Sequence, residues 1–131
     1  LRELNRMDRF CAFGVIAADE AIINSGITKD NSDPERIGVI IGSGIGGIET
    51  LTNNHIKFLK SPRRVSPLFI PMLISDIAPG HVSIRHGFKG PNFAIVSACA
   101  SSNHAIGESF NRIKYGMNDI IITINRESAV N

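Results

Sequence analysis

Cysteine is scarce in this sequence: Cys11 and Cys99 are the only two. They stand far apart and make no metal-ligand spacing, so no metal site or disulfide framework is indicated and a reducing compartment is expected. No apolar run approaches membrane-spanning length, so no membrane span is expected. An excess of one charge is missing too. Fourteen basic residues face 12 acidic ones for a net charge of +2, too balanced to argue for nucleic acid, although a local basic patch could still meet an acidic partner. The opening "LRELNRMDRF" is charged from its second residue and lacks the apolar centre of a signal peptide. There is no internal repeat and no low-complexity segment. The chain starts without Met in helix-like sequence and stops just after an apolar run, so a piece of a longer protein is expected.

What is present is a globular composition, 43% apolar and 20% charged over 131 residues, enough for one ordinary core. The spacing of Phe10, Phe13, Ala17, Ala21 and Asn24 predicts one face of a helix over about Met7 to Asn24, stopped at Ser25-Gly26. "RIGVIIG", Arg36 to Gly42, is short, apolar and β-branched, as a strand buried on both faces would be. A helix should follow "SGIGG" and run through Leu59. "KSPRRVSPLFIP" carries three prolines and should be mostly extended or irregular. A helix-like stretch from about Met72 to Arg85 contains Pro79-Gly80, which should kink or split it. A strand (Phe93 to Ser97), a helix (Ser101 to Tyr115) with a stop at Gly116, and a third strand (Asp119 to Ile124) complete the pattern. Strands alternating with helices predict an α/β fold with a mainly parallel, mixed sheet and helices on both faces.

Cys99 falls at a predicted strand-to-helix turn. A helix N-terminus carries partial positive charge and unpaired N–H groups, which favour thiolate over thiol and can hold an oxyanion. Small neighbours, Ala98, Ala100, Ser101 and Ser102, leave room for a substrate. This is the logic of a nucleophile elbow with Cys in place of Ser; the competing reading is a buried structural thiol. His104 is the nearest candidate base. Five helical positions rotate the chain by about 500°, so it should point about 140° away from Cys99 and read as a packed histidine. His55, His81 and His86 stay open as bases, and their spacing selects none. Gly42, Gly44 and Gly47 match G-x-G-x-x-G after a strand, but no acidic residue stands among Ser61 to Pro67 and the phosphate-loop lysine is absent. A tight glycine turn packing helix against sheet is favoured over a nucleotide site.

"SACASSNHAIG" resembles the active-site segment of the β-ketoacyl-acyl-carrier-protein synthases, the condensing enzymes of fatty acid synthesis, of the type that elongates long chains. "RMDRF", "IGVIIGSGIGG", "SPRRVSPLFIP", "GHVSIRHGFKGP" and "ESFNRIKYG" follow in that family's order and spacing, so the resemblance covers nearly the whole chain. It implies a thiolase-like fold of two similar halves, of which residues 1–131 would be most of the first, lacking the opening strand and the second half. It implies that Cys99 is the acylated nucleophile and that Ile45 gates the acyl pocket. It implies that Phe69 lines the pocket of the other subunit in a homodimer, with the strand before Cys99 paired to its own copy. Arg63 and Arg64, otherwise a solvated pair, would dock an acidic acyl carrier protein bearing acyl or malonyl groups, and Arg2 and Arg6 could extend that patch.

No metal or nucleotide cofactor is implied, since the phosphopantetheine belongs to the carrier protein. The two histidines of decarboxylation would lie outside this chain, which alone should be inactive. Localisation would be cytoplasmic, or the matrix or stroma of an organelle. The alternatives are a polyketide ketosynthase domain and a non-catalytic partner subunit or fragment. One departure stands out: Ile124 and Asn125 occupy the place of a Gly-Gly pair before Glu127, and bulky residues there should strain a turn or block a close approach.

Overall fold

The computed structural model describes residues 6–125. Helix α1 spans Arg9–Ser25 and strand β1 Ile37–Gly42. They are followed by α2 (Ile48–Lys60), α3 (Phe69–Leu73), α4 (Ile77–His86), β2 (Asn92–Ile95), α5 (Ser101–Lys114) and β3 (Ile120–Asn125). The described strands form one all-parallel sheet in the order β2-β1-β3, in register from Val39 opposite Asn92 and from Ile37 opposite Ile120.

Every residue of β1 is buried, because it is paired along both edges and covered on both faces. Alternation along the strand sends Ile37, Val39 and Ile41 to one face. There they join Ile122 and the buried residues of α1 and α4: Phe10, Cys11, Val15, Ala18, Ile22, Ala78 and Val82. Ile40 points to the other face, where α5 lies across all three strands and buries Ser101, Ala105 and Ser109. These small residues recur every fourth position, so one side of α5 sits close against the sheet. Each fully buried Ile or Val contributes about 1.5–3 kcal/mol. At the opposite end of the sheet, Arg36 binds Asp119 through two contacts of 2.7 Å and gives a third hydrogen bond to the Gly116 carbonyl at 2.9 Å. The Arg36–Asp119 hydrogen bonding holds the Asp119 carboxyl below the usual carboxylate range.

Five expectations are corrected. The buried face of α1 is Phe10, Cys11, Gly14, Val15, Ala18 and Ile22, while Ala17, Ala21 and Asn24 are exposed and Phe13 is 38% exposed. The helix is apolar around much of its girth, so a stripe chosen on Phe13 was about one position out of phase. The proline-rich stretch is not wholly irregular. It holds a short 3₁₀ turn, Pro62–Arg64, and the one-turn helix α3, with Pro71 in the first turn where an N–H is not needed. The split between helices falls at residues 74–76, and Pro79 lies in the first turn of α4 for the same reason. Strand β2 spans Asn92–Ile95 rather than Phe93 to Ser97; it is half-buried along its length and Val96 beyond it is 58% exposed, its outer edge having no partner among the described residues. At the other end of the chain, β3 continues through Ile124 and Asn125 opposite Ile41 and Gly42, with no turn there to strain; Glu127 lies outside the described residues.

One buried carboxylate starts two helices. Asp8 is 4% exposed, and its Oδ1 accepts the Phe10 N–H in the first turn of α1 at 3.2 Å. Its Oδ2 accepts the Thr50 N–H, in the first turn of α2, at 2.8 Å. Negative charge at two helix N-termini is favourable, and both N–H groups would otherwise be orphaned. Asp8→Ala should therefore lower stability by about 2–4 kcal/mol, with Asp8→Asn, which keeps one acceptor oxygen, in between. Denaturant midpoints of the intact protein measure this, and an unchanged midpoint in Asp8→Ala would refute the double cap.

Candidate active site

The connection after β1 leads to α4 on the α1 face, whereas the connection after β2 leads to α5 on the opposite face. Adjacent parallel strands whose exits diverge in this way leave a crevice beyond their C-terminal ends, the usual ligand position in open α/β sheets. Two loops border it, residues 43–47 after β1 and 96–100 after β2, and the Ser43 N–H still bonds the Ile95 carbonyl at 3.0 Å.

The first loop is a close-packed glycine turn. Ser43 is fully buried, and its hydroxyl accepts the Gly46 N–H at 3.1 Å. Gly46 has φ +78°, and a Cβ there would stand 2.6 Å from the Leu73 carbonyl oxygen. Gly47 gives its N–H to that same oxygen at 2.8 Å, and a Cβ on it would overlap the Met72 carbonyl. The glycines thus admit the end of α3, and the Gly46 and Gly47 N–H groups, both already bonded, are not free for a phosphate. The expected helix-against-sheet contact is, at Gly46 and Gly47, a loop-against-α3 contact. Ile45, at the tip, is 58% exposed at the same sheet end as Cys99.

The second loop carries Cys99 in a 3₁₀ turn, Ala98–Ala100, directly before α5. Cys99 is exposed and free. Ala98 before it has φ 49°, the sole non-glycine positive φ among the described residues. The Ser101 hydroxyl accepts the Ser97 N–H at 2.9 Å and donates to the Ala98 carbonyl at 2.7 Å, bridging the turn from below. Cys11, also free, contrasts with Cys99 in burial. It is wholly buried in α1, and burial, with a smaller contribution from the Asp8 charge, pushes its thiol up to about 12.

The histidines sort clearly. His104 is exposed rather than packed, and its Nδ1 lies 2.7 Å from the Ser97 hydroxyl. His86 Nε2 lies 2.7 Å from the Asp19 carboxylate, tying α4 to α1. His55 lines a different hollow of about 200 Å³ with Leu51, Asn54, Phe58, Val65 and Phe69. Phe69 is therefore grouped with the flank of α2, and Ile45 does not line that hollow. Arg63 and Arg64 are exposed in the 3₁₀ turn after α2, just beyond Lys57 and Lys60 in its last turn. Arg6 is exposed, and Arg2 lies outside the described residues. The two lysines, the Ser97–His104 bond and the Ser101 bridge were missed in the sequence. The i, i+3 spacing of Lys57 and Lys60 could have shown the first, whereas the other two depend on the shape of the turn. Among the described residues no group of three His, Cys, Asp or Glu side chains is placed to hold a metal ion.

The model of the β-ketoacyl synthase N-terminal domain matches residues 1–128. The chain is 47% identical over 130 residues to 3-oxoacyl-[acyl-carrier-protein] synthase 2 of Staphylococcus aureus (strain N315), covering 98% of this chain and 31% of that protein. It is 40% identical to the protein of that name from Synechocystis, with the same coverage. The chain thus spans about a third of the length of these relatives. Among solved structures, a β-ketoacyl synthase from Burkholderia phymatum superposes with a TM-score of 0.75 at 28% identity, covering 90% of this chain and 30% of that one. A type II polyketide ketosynthase, solved in complex with its acyl-carrier protein and bound to the hexaketide, superposes with a TM-score of 0.84 at 21% identity, covering 97% of this chain and 38% of that one. The described fold is accordingly the thiolase-like α/β arrangement of the ketosynthases, and the chain belongs to the β-ketoacyl synthase family as its N-terminal domain.

Proposed function

We propose that the intact protein is an elongating β-ketoacyl-acyl-carrier-protein synthase and that Cys99 is its nucleophile. The observation that carries this is the exposed Cys99, on a turn with a left-handed residue at the C-terminal end of β2, in a chain 47% identical to a 3-oxoacyl-acyl-carrier-protein synthase. The thiolate attacks the carbonyl of an acyl thioester and expels the carrier thiolate, leaving the acyl group on Cys99. Loss of carbon dioxide from a malonyl-carrier protein gives a carbanion. That carbanion attacks the acyl-cysteine, forms the new carbon–carbon bond and releases Cys99. The N–H of Cys99 serves as half of the oxyanion hole. The remaining catalytic groups, including the two histidines of decarboxylation, come from outside these 131 residues, and no cofactor beyond the carrier's phosphopantetheine is called for. Among the described residues no helix is long and apolar enough to cross a membrane, and we assign the reaction to the cytoplasm or an organelle's matrix or stroma. In the intact protein, Cys99→Ala should abolish condensation of acyl- and malonyl-carrier proteins, and retained condensation would overturn the assignment.

The surfaces support a larger assembly. Ile106, Phe110 and Ile113 lie at i, i+4 and i+7 on the outward face of α5 and are 55%, 62% and 44% exposed. That stripe is suited to cover by the remainder of a protein about three times as long. The unpaired edge of β2 suits pairing with its own copy in a homodimer, which would also bring Phe69 to the partner's pocket.

Two outcomes test the substrate contacts. If Ile45 gates the acyl pocket, Ile45→Phe should slow acyl transfer from long donors before short ones, since overfilling a packed site costs about 1–3 kcal/mol. Equal loss at every donor length would remove Ile45 from the pocket. If Arg63 and Arg64, supported by Lys57 and Lys60, meet the acidic carrier, reversing both arginines to Glu should impair transfer from acyl-carrier protein far more than from a small acyl thioester. The wild-type rate should also fall as salt rises. Equal impairment of both donors would make the arginines structural.

A further inference from the structure

We propose that His104 is a positioning residue that acts on Cys99 through Ser97, locking the turn in the one backbone shape that presents the thiol and the Cys99 N–H together. The proposal rests on the reading of Cys99 as nucleophile. A residue with a Cβ disfavours left-handed backbone, so Ala98 at φ 49° must be held there by its surroundings. Two residues of α5 do this from different directions. Ser101, 1% exposed, bridges the Ser97 N–H and the Ala98 carbonyl. His104, almost one turn further along α5, reaches back to the Ser97 hydroxyl at 2.7 Å. The residue before Ala98 is therefore fixed at both its N–H and its side chain, while Cys99 stays exposed.

His104 is unsuited to serve as the base of the thiol. Its Nδ1 is engaged by Ser97, on the other side of the turn from α5, rather than by the Cys99 thiol. Its effect runs through the backbone. Removing it frees the Ser97 side chain, lets Ala98 relax toward an ordinary φ, and turns the N–H and thiol of Cys99 away from a common target. Small misplacements of reacting groups carry large kinetic costs, about 10–100-fold.

The test uses the intact protein with His104→Ala, Ser97→Ala, the double variant and His104→Asn, whose side-chain amide can still bond Ser97. Single-turnover acylation of Cys99 by a short acyl thioester gives the rate and half-saturation. Hydrogen exchange of the peptide spanning residues 96–103 reports the turn without requiring any chemistry. The expected result is acylation slowed about 10–100-fold in each alanine variant. Half-saturation should be nearly unchanged, the double variant no slower than either single one, and His104→Asn largely restored. Exchange should quicken in the 96–103 peptide and not in α1 or β1. Loss of acylation in His104→Ala but not in Ser97→Ala would make the histidine act directly and overturn the proposal, as would independent, multiplying losses. Unchanged exchange would overturn the clasp itself. Quickened exchange in the alanine variants, with a wild-type protein that never acylates Cys99, would keep the clasp and overturn the catalytic reading on which its role depends.

Discussion

Strand β1 is hydrogen-bonded along both edges and buried on both faces, and the other elements take their places around it. A strand in that position must be apolar on every side, which Ile37, Val39, Ile40 and Ile41 satisfy. Its two neighbours are both parallel to it, so each is reached by a crossover rather than a hairpin. Travel from β1 out to β2 and then back past β1 to β3 reverses direction. With crossovers of one hand, that reversal puts α4 and α5 on opposite faces. The loops after β1 and β2 stand together at the C-terminal end of the sheet as a consequence of this topology, and Cys99 stands there because it follows β2.

Much of the precision around the crevice comes from small polar groups that are buried and fully used. Asp8 starts α1 and α2 together, over a separation of 42 residues. Ser43 ties the glycine turn, and Ser101 bridges the cysteine turn. Asn54 accepts the Ser66 N–H and donates to the Thr50 carbonyl, which fixes the segment carrying Arg63 and Arg64 against α2. Buried polar groups are costly unless paired, so each of these permits little local variation. The large apolar side chains of α5 do the reverse and point outward, while its small residues touch the sheet. That inversion is what a helix needs if it is to be covered on its second side.

The order of elements was legible because strand and helix periods differ and the punctuation is strong: Gly26 and Gly116 take the positive φ expected of stops. The glycine turn was legible as a turn. Its partner was not, since the approach of Met72 and Leu73 is a tertiary contact with no local signal. The phase of α1 was misread because Phe13, Ile16 and Ile23 are apolar yet exposed, so the pattern offered more than one stripe. The helix in the proline-rich stretch was missed because proline was counted as a breaker, although Pro71 stands in a first turn. At the site, the position of Cys99 between strand and helix was readable. The bond of His104 to Ser97, and its exposure where a packed histidine was expected, needed the turn in three dimensions.

The central claim is that Cys99 takes up the acyl group, and the direct measurement is to locate that group. The intact protein, incubated with an acyl-carrier protein and no malonyl donor, would be digested and its peptides weighed. The account predicts one acyl mass on the peptide containing Cys99 and none on Cys11, whose thiol is buried in α1 and held protonated by a pKa of about 12. An acyl group on Cys11 or another residue, with Cys99 unmodified, would contradict it.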